Sequence, residues 1–427
     1  MKVLILGGGG REHALAWKIA QSPLCEGLFC APGNPGISQV ADCVTLNLRP
    51  PFERLIGFCR QAQIDLVVVG PEDPLAAGVV DALEAAGVPA FGPGAAAARL
   101  EASKSFAKEI MTAAGIPTGA ACPFTEASAA REHLNRLSPP YVIKADGLAA
   151  GKGVVVANDR AQAEDWIDAL LEGRRLGEAG ARILIEEYLT GIEASLLAFT
   201  DGRTVLAMEP AHDHKPVFDG DRGPNTGGMG AVSPAAAMTP GLRRRAVEEI
   251  LKPAVAELAR RGLIYRGVLY AGLMLTAEGP KVVEFNCRFG DPETQALLPR
   301  LTTDLVPLLL ACREGTLAGL ELAWRPEACV CVVAAAAGYP GPSRRGDVIG
   351  GLEGDGEDVM IFHAGTAFDA DGRIVTAGGR VLGVTALGSD AAHARDRAYA
   401  RLERIRFSGM HFRRDIGLRR AGVPASV

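Results

Sequence analysis

Over the first hundred residues, short apolar runs alternate with stretches of helical period. Strand-like runs at residues 3–6, 27–31, 65–70 and 89–91 are separated by helical patterns at 12–21, 55–61 and 76–86. Strands alternating with helices predict a parallel, doubly wound α/β sheet. Glycine-rich turns follow the strand ends, at Gly7 to Gly10, Gly33-Asn34-Pro35-Gly36, Gly70-Pro71-Glu72-Asp73 and Gly92-Pro93-Gly94. In open parallel sheets that edge faces the ligand crevice.

A second α/β region begins at Ser103, a residue able to cap the amphipathic helix that contains Phe106 and Ile110. A strand at 141–147 leads through Leu148-Ala149-Ala150-Gly151-Lys152-Gly153 into a strand at 154–157. A glycine-rich loop between two strands folds over phosphates as a lid, with Lys144 and Lys152 adding positive charge. The strand at 182–189 carries Glu186 and Glu187 at its end, and Glu193 opens another strand through Phe199. Residues 211–234 read as a long polar loop, and loops of that length are usually functional or disordered. The tail has strand-like runs at 329–337 and 381–386 and a helix over 390–404, which together predict a small α+β closing domain.

The most informative stretch is 282–295. Alternation along a strand sends Val283, Phe285 and Cys287 to one face and Glu284, Asn286 and Arg288 to the other. Glu and Asn offer hard oxygen ligands for Mg²⁺, and an adjacent Arg suits a phosphoryl group in transfer. Two rival phosphate motifs fail on spacing. Aligning G-x-G-x-x-G on Gly7 or Gly8 puts Glu12 or His13 where the third glycine must stand, and no acidic residue ends the second strand. The lysine loop has three residues between Gly147 and the next glycine-lysine pair when counted from Leu148, and Gly153 follows instead of Ser or Thr, so it is not a Walker A loop. The turn from Gly8 to Gly10, with Arg11 beside it, keeps the phosphate-friendly character of a helix N-terminus. His212, Asp213 and His214 lack a third His or Cys nearby for a transition metal.

Bulk properties narrow the class further. The chain has 427 residues, 48% hydrophobic and 22% charged, enough for about three domains. A net charge of −5 without a Lys/Arg run predicts no nucleic-acid partner. The longest apolar stretches are too short to span a bilayer, so no membrane partner is expected. Nine irregularly spaced cysteines read as free core thiols of a reducing compartment, and a cytoplasmic location is expected.

The ordered set Lys104, Val142 to Gly147 with Gly151-Lys152-Gly153, Glu186-Glu187-Tyr188 and Glu284 to Arg288 resembles the ATP-grasp ligases. More narrowly, Gly8 to Trp17, Ala31 to Asn34, Gly70-Pro71-Glu72, His212 to Lys215, Gly223 to Ala231 and Arg288 to Thr294 resemble the glycinamide ribonucleotide synthetase family, in order from Met1 to about Gly417. The resemblance implies an N-terminal α/β substrate domain over 1–102, a lid-bearing ATP-grasp part over 103–192, a catalytic ATP-grasp part over 193–326 and a closing domain over 327–427. It implies ATP-dependent joining of glycine to 5-phosphoribosylamine through glycyl phosphate, with another carboxylate–amine ligase as the alternative. Mg²⁺ or Mn²⁺ would sit on Glu284 and Asn286. ATP would contact Lys104, Lys144, Gly151, Lys152, Gly153, Glu186, Glu187 and Glu193. Arg288, Lys144 and Asp213 are the implied catalytic groups. Substrate contacts would come from Gly8, Gly9, Gly10, Arg11, Asn34, Pro71, Glu72, Asp213, Lys215, Asn225, Arg288, Asp291 and Glu293. A monomer is expected.

Overall fold

A computed structural model describes residues 1–149, 153–354, 356, 358–418 and 425–426; the lid residues Gly151 and Lys152 lie outside the described residues. The N-terminal sheet contains β1 (Lys2–Gly7), β2 (Gly27–Pro32), β3 (Asp42–Cys43), β4 (Leu66–Val69) and β5 (Ala90–Phe91), all parallel in the order β3-β2-β1-β4-β5. Its central strands are apolar on both faces. Val3, Ile5 and Val68 pack in one cluster, while Leu4, Leu6, Val67 and Val69 pack in the other. Burial on both sides explains the unbroken apolar runs in the sequence.

Next comes an antiparallel sheet of β6 (Ala121–Phe124), β7 (Tyr141–Ala145), β8 (Val154–Ala157) and β9 (Ile183–Glu186), in the order β6-β9-β7-β8. Helices Ala127–Leu134 and Arg160–Leu171 cover one face through Ala130, Leu134, Ile167 and Leu170. A third sheet runs β11-β10-β16-β17, from β10 (Thr190–Thr200), β11 (Val205–Ala207), β16 (Gly267–Thr276) and β17 (Gly279–Asn286). Helix Lys104–Ala113 packs on it with Phe106 and Ile110, and Ser103 Oγ caps that helix by accepting from the Phe106 N–H at 3.2 Å. Asp146, at the end of β7, fixes the same helix start by accepting from the Ser105 N–H at 2.6 Å.

Two expectations need correction here. The segment 211–234 is not a long loop: it forms β12 (His212–Asp213), the hairpin of β13 (Pro216–Phe218) and β14 (Arg222–Asn225), and β15 (Gly230–Ser233). β12 and β15 join the C-terminal sheet of β18 (Ala328–Ala335), β19 (Val359–His363) and β22 (Arg380–Gly388), in the order β12-β15-β18-β22-β19. The apolar residues Met229 and Val232 pack there with Val330 and Val332, which outweighs the polar composition around them. A separate hairpin, β20 (Thr366–Phe368) with β21 (Ile374–Thr376), and helix Ala391–Leu402 complete this part.

The second correction concerns the alternation on β17. Gly272 pairs with Glu284, but Leu273 pairs with Val282, so Val283 is an extra residue in a β-bulge. Val283 therefore faces the cleft and not the core, while Val282, Phe285 and Cys287 are buried. Glu284 and Asn286 keep their expected face.

The N- and C-terminal parts meet at a polar seam. Asn34 Nδ2 donates to the carbonyls of Gly8 and His363, both at 2.9 Å, and its Oδ1 accepts from the Gly36 and Ile37 N–H groups. His13 Nδ1 accepts from the His363 N–H at 2.8 Å, and the His13 ring packs edge-on to Phe362. Burial, with a smaller contribution from His363, lowers the His13 pKa to about 3, and burial lowers that of His363 to about 4. The unfolded chain therefore takes up protons first as pH falls. Stability present above pH ~6.5 is expected to decline as pH falls toward the folded-state values, by up to about 1.4 kcal/mol per pH unit for each histidine. Urea midpoints measured across this range should show a shallower decline for His13→Gln than for the parent chain.

Candidate functional site

A cleft of about 300 Å³ opens where the N-terminal sheet, the lid sheet, β17 and the C-terminal sheet converge. One wall is β17 with Glu284, Asn286 and Arg288, and the opposite wall is the start of helix Lys104–Ala113. Lys215 is the main cause of a low Glu284 pKa, about 2, with Lys144, Lys104 and Arg288 adding to it against the effect of burial. Glu284 is thus a fully ionised oxygen donor. Asn286 Oδ1 accepts from Arg288 at 3.2 Å, which turns its amide oxygen to the same wall.

Arg288 sits at the meeting point of three elements. Its guanidinium pairs with Glu101 at 3.0 Å and with Glu72 at 3.2 Å. Burial opposes its charge, yet Glu101 and Glu72 shift its pKa further up. Glu72 is held below the ordinary carboxylate range by Arg288 and Arg11 in spite of burial. It stands at the start of the short helix Glu72–Ala76, just after Pro71. Arg11 pairs with Glu12 at 2.6 Å and donates to the Phe289 carbonyl.

On the lid side, Lys144 reaches Glu186 at 3.0 Å and donates to the Val283 carbonyl at 3.1 Å, bridging β7 to the bulge on β17. Lys108 pairs with the same Glu186 carboxylate at 3.3 Å. Burial lowers the pKa of both Lys104 and Lys108, although nearby carboxylates oppose it. Ala107, Met111, Leu148 and Val154 give this end of the cleft an apolar lining. On the other side Asp213, Lys215, Tyr270 and Glu293 form a dense polar group. Ser195 and Tyr270 hydroxyls both donate to Glu293 Oε1.

The structure brings Arg11, Glu72, Lys104, Gly153, Glu186, Asp213, Lys215, Glu284, Asn286, Arg288, Asp291 and Glu293 to one cleft. Glu193 lies just behind it, against Lys215. Others stand apart from the lining. Glu187 is turned to the residue before β6, accepting from the Ala120 N–H at 3.1 Å. Asn225 is exposed on the outer hairpin, and Asn34 is committed to backbone groups. In the Gly8 to Gly10 turn the Gly9 N–H is already taken, donating to Glu12 at 2.7 Å. These glycines serve close packing: a Cβ on Gly8 would lie 2.5 Å from the Gly33 carbonyl oxygen.

Three family descriptions cover the chain in succession. The phosphoribosylglycinamide synthetase N domain matches residues 1–101, its ATP-grasp (A) domain 102–294 and its C domain 329–419. A phosphoribosylamine–glycine ligase from Phenylobacterium zucineum is 52% identical over 425 residues, covering 99% of this chain and 100% of that protein. The chain belongs to the phosphoribosylglycinamide synthetase family. Its phosphoribosylglycinamide synthetase relative from Caldanaerobacter subterraneus, also a phosphoribosylamine–glycine ligase, is 49% identical, with 97% of this chain and 99% of that one covered. Among solved structures, the phosphoribosylamine–glycine ligase of Thermotoga maritima superposes with a TM-score of 0.84 at 33% identity, covering 97% of this chain and all of that one. A biotin carboxylase–β,γ-ATP complex from Campylobacter jejuni shares the fold at 16% identity and a TM-score of 0.75, covering 98% and 94% of the two chains.

Several residues of this cleft carry no clear signal in the sequence. Glu101 is distant from Arg288 in the chain and ends a helix rather than a strand. Arg380 approaches from β22 to pair with Asp291 at 3.1 Å. Tyr270 stands opposite Asn286 in the β16–β17 register, a relation that strand pairing alone would have exposed. Glu101 also accepts the Cys287 N–H at 2.7 Å, so it fixes both the strand end and the guanidinium. Glu101→Ala is expected to cost about 3 kcal/mol of stability by leaving Arg288 with one buried partner fewer. Denaturant unfolding measures this; a cost within about 0.5 kcal/mol would show that Glu72 alone holds Arg288.

Proposed function

We propose that the chain joins glycine to 5-phosphoribosylamine at the expense of ATP, giving glycinamide ribonucleotide, ADP and phosphate in purine biosynthesis. The observation that carries this reading is the opposition of the Glu284, Asn286 and Arg288 wall to Lys104 and the Lys144–Glu186 pair, in a chain related over its full length to phosphoribosylamine–glycine ligases. A carboxylate is a poor acyl donor, because direct attack would have to expel oxide. A glycine carboxylate oxygen therefore bonds to the γ-phosphorus of ATP as the bond to the bridging oxygen breaks and ADP leaves. The amine of phosphoribosylamine then attacks the acyl carbon of glycyl phosphate, releasing phosphate and a proton.

This chain's contribution is chiefly positioning and charge. Lys104 on the lining and Lys144 behind it, held by Glu186 and the Val283 carbonyl, supply positive charge beside the nucleotide phosphates, and the apolar patch of Ala107, Met111 and Val154 suits the adenine ring. Arg288, kept cationic by Glu101 and Glu72, stands where it can stabilise the phosphoryl group in transfer. ATP-grasp ligases generally use ATP with Mg²⁺. Glu284, an ionised oxygen donor on the cleft wall, and the Asn286 amide oxygen fit this hard cation and would hold it. When bound, it would neutralise phosphate charge. Arg11, lining the N-terminal side of the cleft, is assigned to the 5-phosphate of phosphoribosylamine; the glycine turn beside it shapes that side without binding the anion itself.

Mass detection of glycinamide ribonucleotide from ATP, glycine and freshly generated phosphoribosylamine tests the whole reading. ADP release that does not require glycine would reject it. Glu284→Gln is expected to raise the Mg²⁺ concentration for half-maximal rate by about 10- to 100-fold. Wild-type behaviour at limiting Mg²⁺ would remove Glu284 as a ligand. Arg11→Ala should raise the KM for phosphoribosylamine about tenfold or more while calorimetric MgATP affinity stays nearly constant; the reverse pattern would return Arg11 to the nucleotide.

A further inference from the structure

A second cavity, of about 640 Å³, lies at the seam between the N- and C-terminal parts and shares no lining residue with the cleft. Met360 and Phe362 line it from one face of β19, and Ile361 lines it from the other, beside Ile374 of β21. Residues from both faces of a strand reach one cavity along the strand's edge. β19 has such an edge, because it ends its sheet and pairs with β22 alone.

Most of that edge is already closed. The His363 N–H donates to His13 and its carbonyl accepts from Asn34, while the Val359 N–H donates to the Gly356 carbonyl at 3.1 Å. On the inner side, the Asp358 carbonyl accepts from the Leu387 N–H at 3.0 Å, and the Ala364 N–H donates to the Val381 carbonyl at 2.9 Å. The antiparallel alternation therefore turns both backbone groups of Ile361 away from β22. Ile361 is 7% exposed, and none of the described residues meets its N–H or its carbonyl. A backbone pair so far removed from bulk water calls for a partner within the cavity.

The lining favours a flat, uncharged molecule. Trp17 and His13, on the helix Gly10–Ile19, bring aromatic surface to the cavity, and each ring meets Phe362 edge-on. Burial keeps His13 and His363 neutral at neutral pH, and the Arg325 guanidinium is paired with Asp358 at 3.3 Å. An extended peptide would need open backbone pairs at every second residue, whereas the N–H of Val359 and both groups of His363 are engaged. One donor beside one acceptor instead matches a heterocycle that carries an amino group next to a ring nitrogen. We propose that this cavity binds an adenine-type nucleoside, its base edge on the Ile361 N–H and carbonyl and its ring against Trp17. The volume leaves room for the ribose. This site is separate from the place assigned to ATP.

The experiment titrates the full chain with adenosine and follows amide hydrogen exchange together with tryptophan emission. At saturation, exchange of the Ile361 amide is expected to slow about tenfold or more, with half-saturation below about 1 mM. In a chain carrying Trp166→Phe and Trp324→Phe, adenosine should quench the remaining Trp17 emission over the same range, since the cleft lining holds no tryptophan. Trp17→Ala should weaken adenosine binding about tenfold or more, the range of base stacking on an aromatic ring, and leave the KM for ATP nearly constant. Should that variant not fold, Ile374→Trp fills the cavity from β21, and unchanged adenosine affinity in it would overturn the proposal. Protection of cleft residues with Ile361 unaltered would also overturn it, by sending adenosine to the nucleotide end. No change at Ile361 up to about 5 mM adenosine would leave water as the partner of the open pair. An equal response to ribose would remove the base from the contact.

Discussion

Charge that has been taken out of water must be compensated on the spot, and the cleft is organised by that requirement. The buried Arg288 guanidinium is the clearest case. Glu101 comes to it from the helix that precedes the ATP-grasp region, Glu72 from the N-terminal sheet, and Asn286 from its own strand. Each partner alone would leave a costly imbalance. Together they make the guanidinium a fixed cation whose position is determined by three separate parts of the chain. Phosphoryl transfer draws on fixed charge of this kind because no reorganisation has to occur as the reaction proceeds.

The bulge at Val283 connects this electrostatic requirement to the backbone. An uninterrupted β17, paired along one edge with β16, would send alternate side chains to the core and to the cleft. The carbonyl of the inserted residue Val283 accepts from Lys144 on the lid sheet. Glu186 takes the same lysine, so a carboxylate and a carbonyl together set the ammonium position. The lysine is thus held by two sheets at once, and the separation between them is part of the site's geometry.

Much of this was legible in the sequence, for reasons that can be traced to particular residues. Continuous apolar runs marked the two-sided burial of β1 and β4, and the polar alternation of Glu284, Asn286 and Arg288 marked a functional wall. The bulge was hidden because a one-residue insertion leaves no trace in composition. Within 211–234, β12 and β15 were hidden because they enter their sheet through β18, about a hundred residues later. Gly8 to Gly10 resembled an anion cradle, but Glu12, four residues on from Gly8, supplies the anion internally. Glu101 and Arg380 act through long-range pairs, which local periodicity does not encode. The shared fold and the relatives' motifs made the chemistry readable even where individual contacts were not.

The amide of Asn34 joins the first glycine turn to the last residue of β19, bridging segments more than three hundred residues apart. With His13 alongside, it ties the two ends of the chain into one frame around the cleft. The sheet of β6 to β9 is tied instead to β17 and to the helix Lys104–Ala113, through Lys144, Asp146, Glu186 and the segment before β6. The ties are therefore of two kinds. The N- and C-terminal parts share one seam, whereas the sheet of β6 to β9 is fastened to the middle of the chain, so its position is set by the same Lys144 and Glu186 pair that faces the cleft.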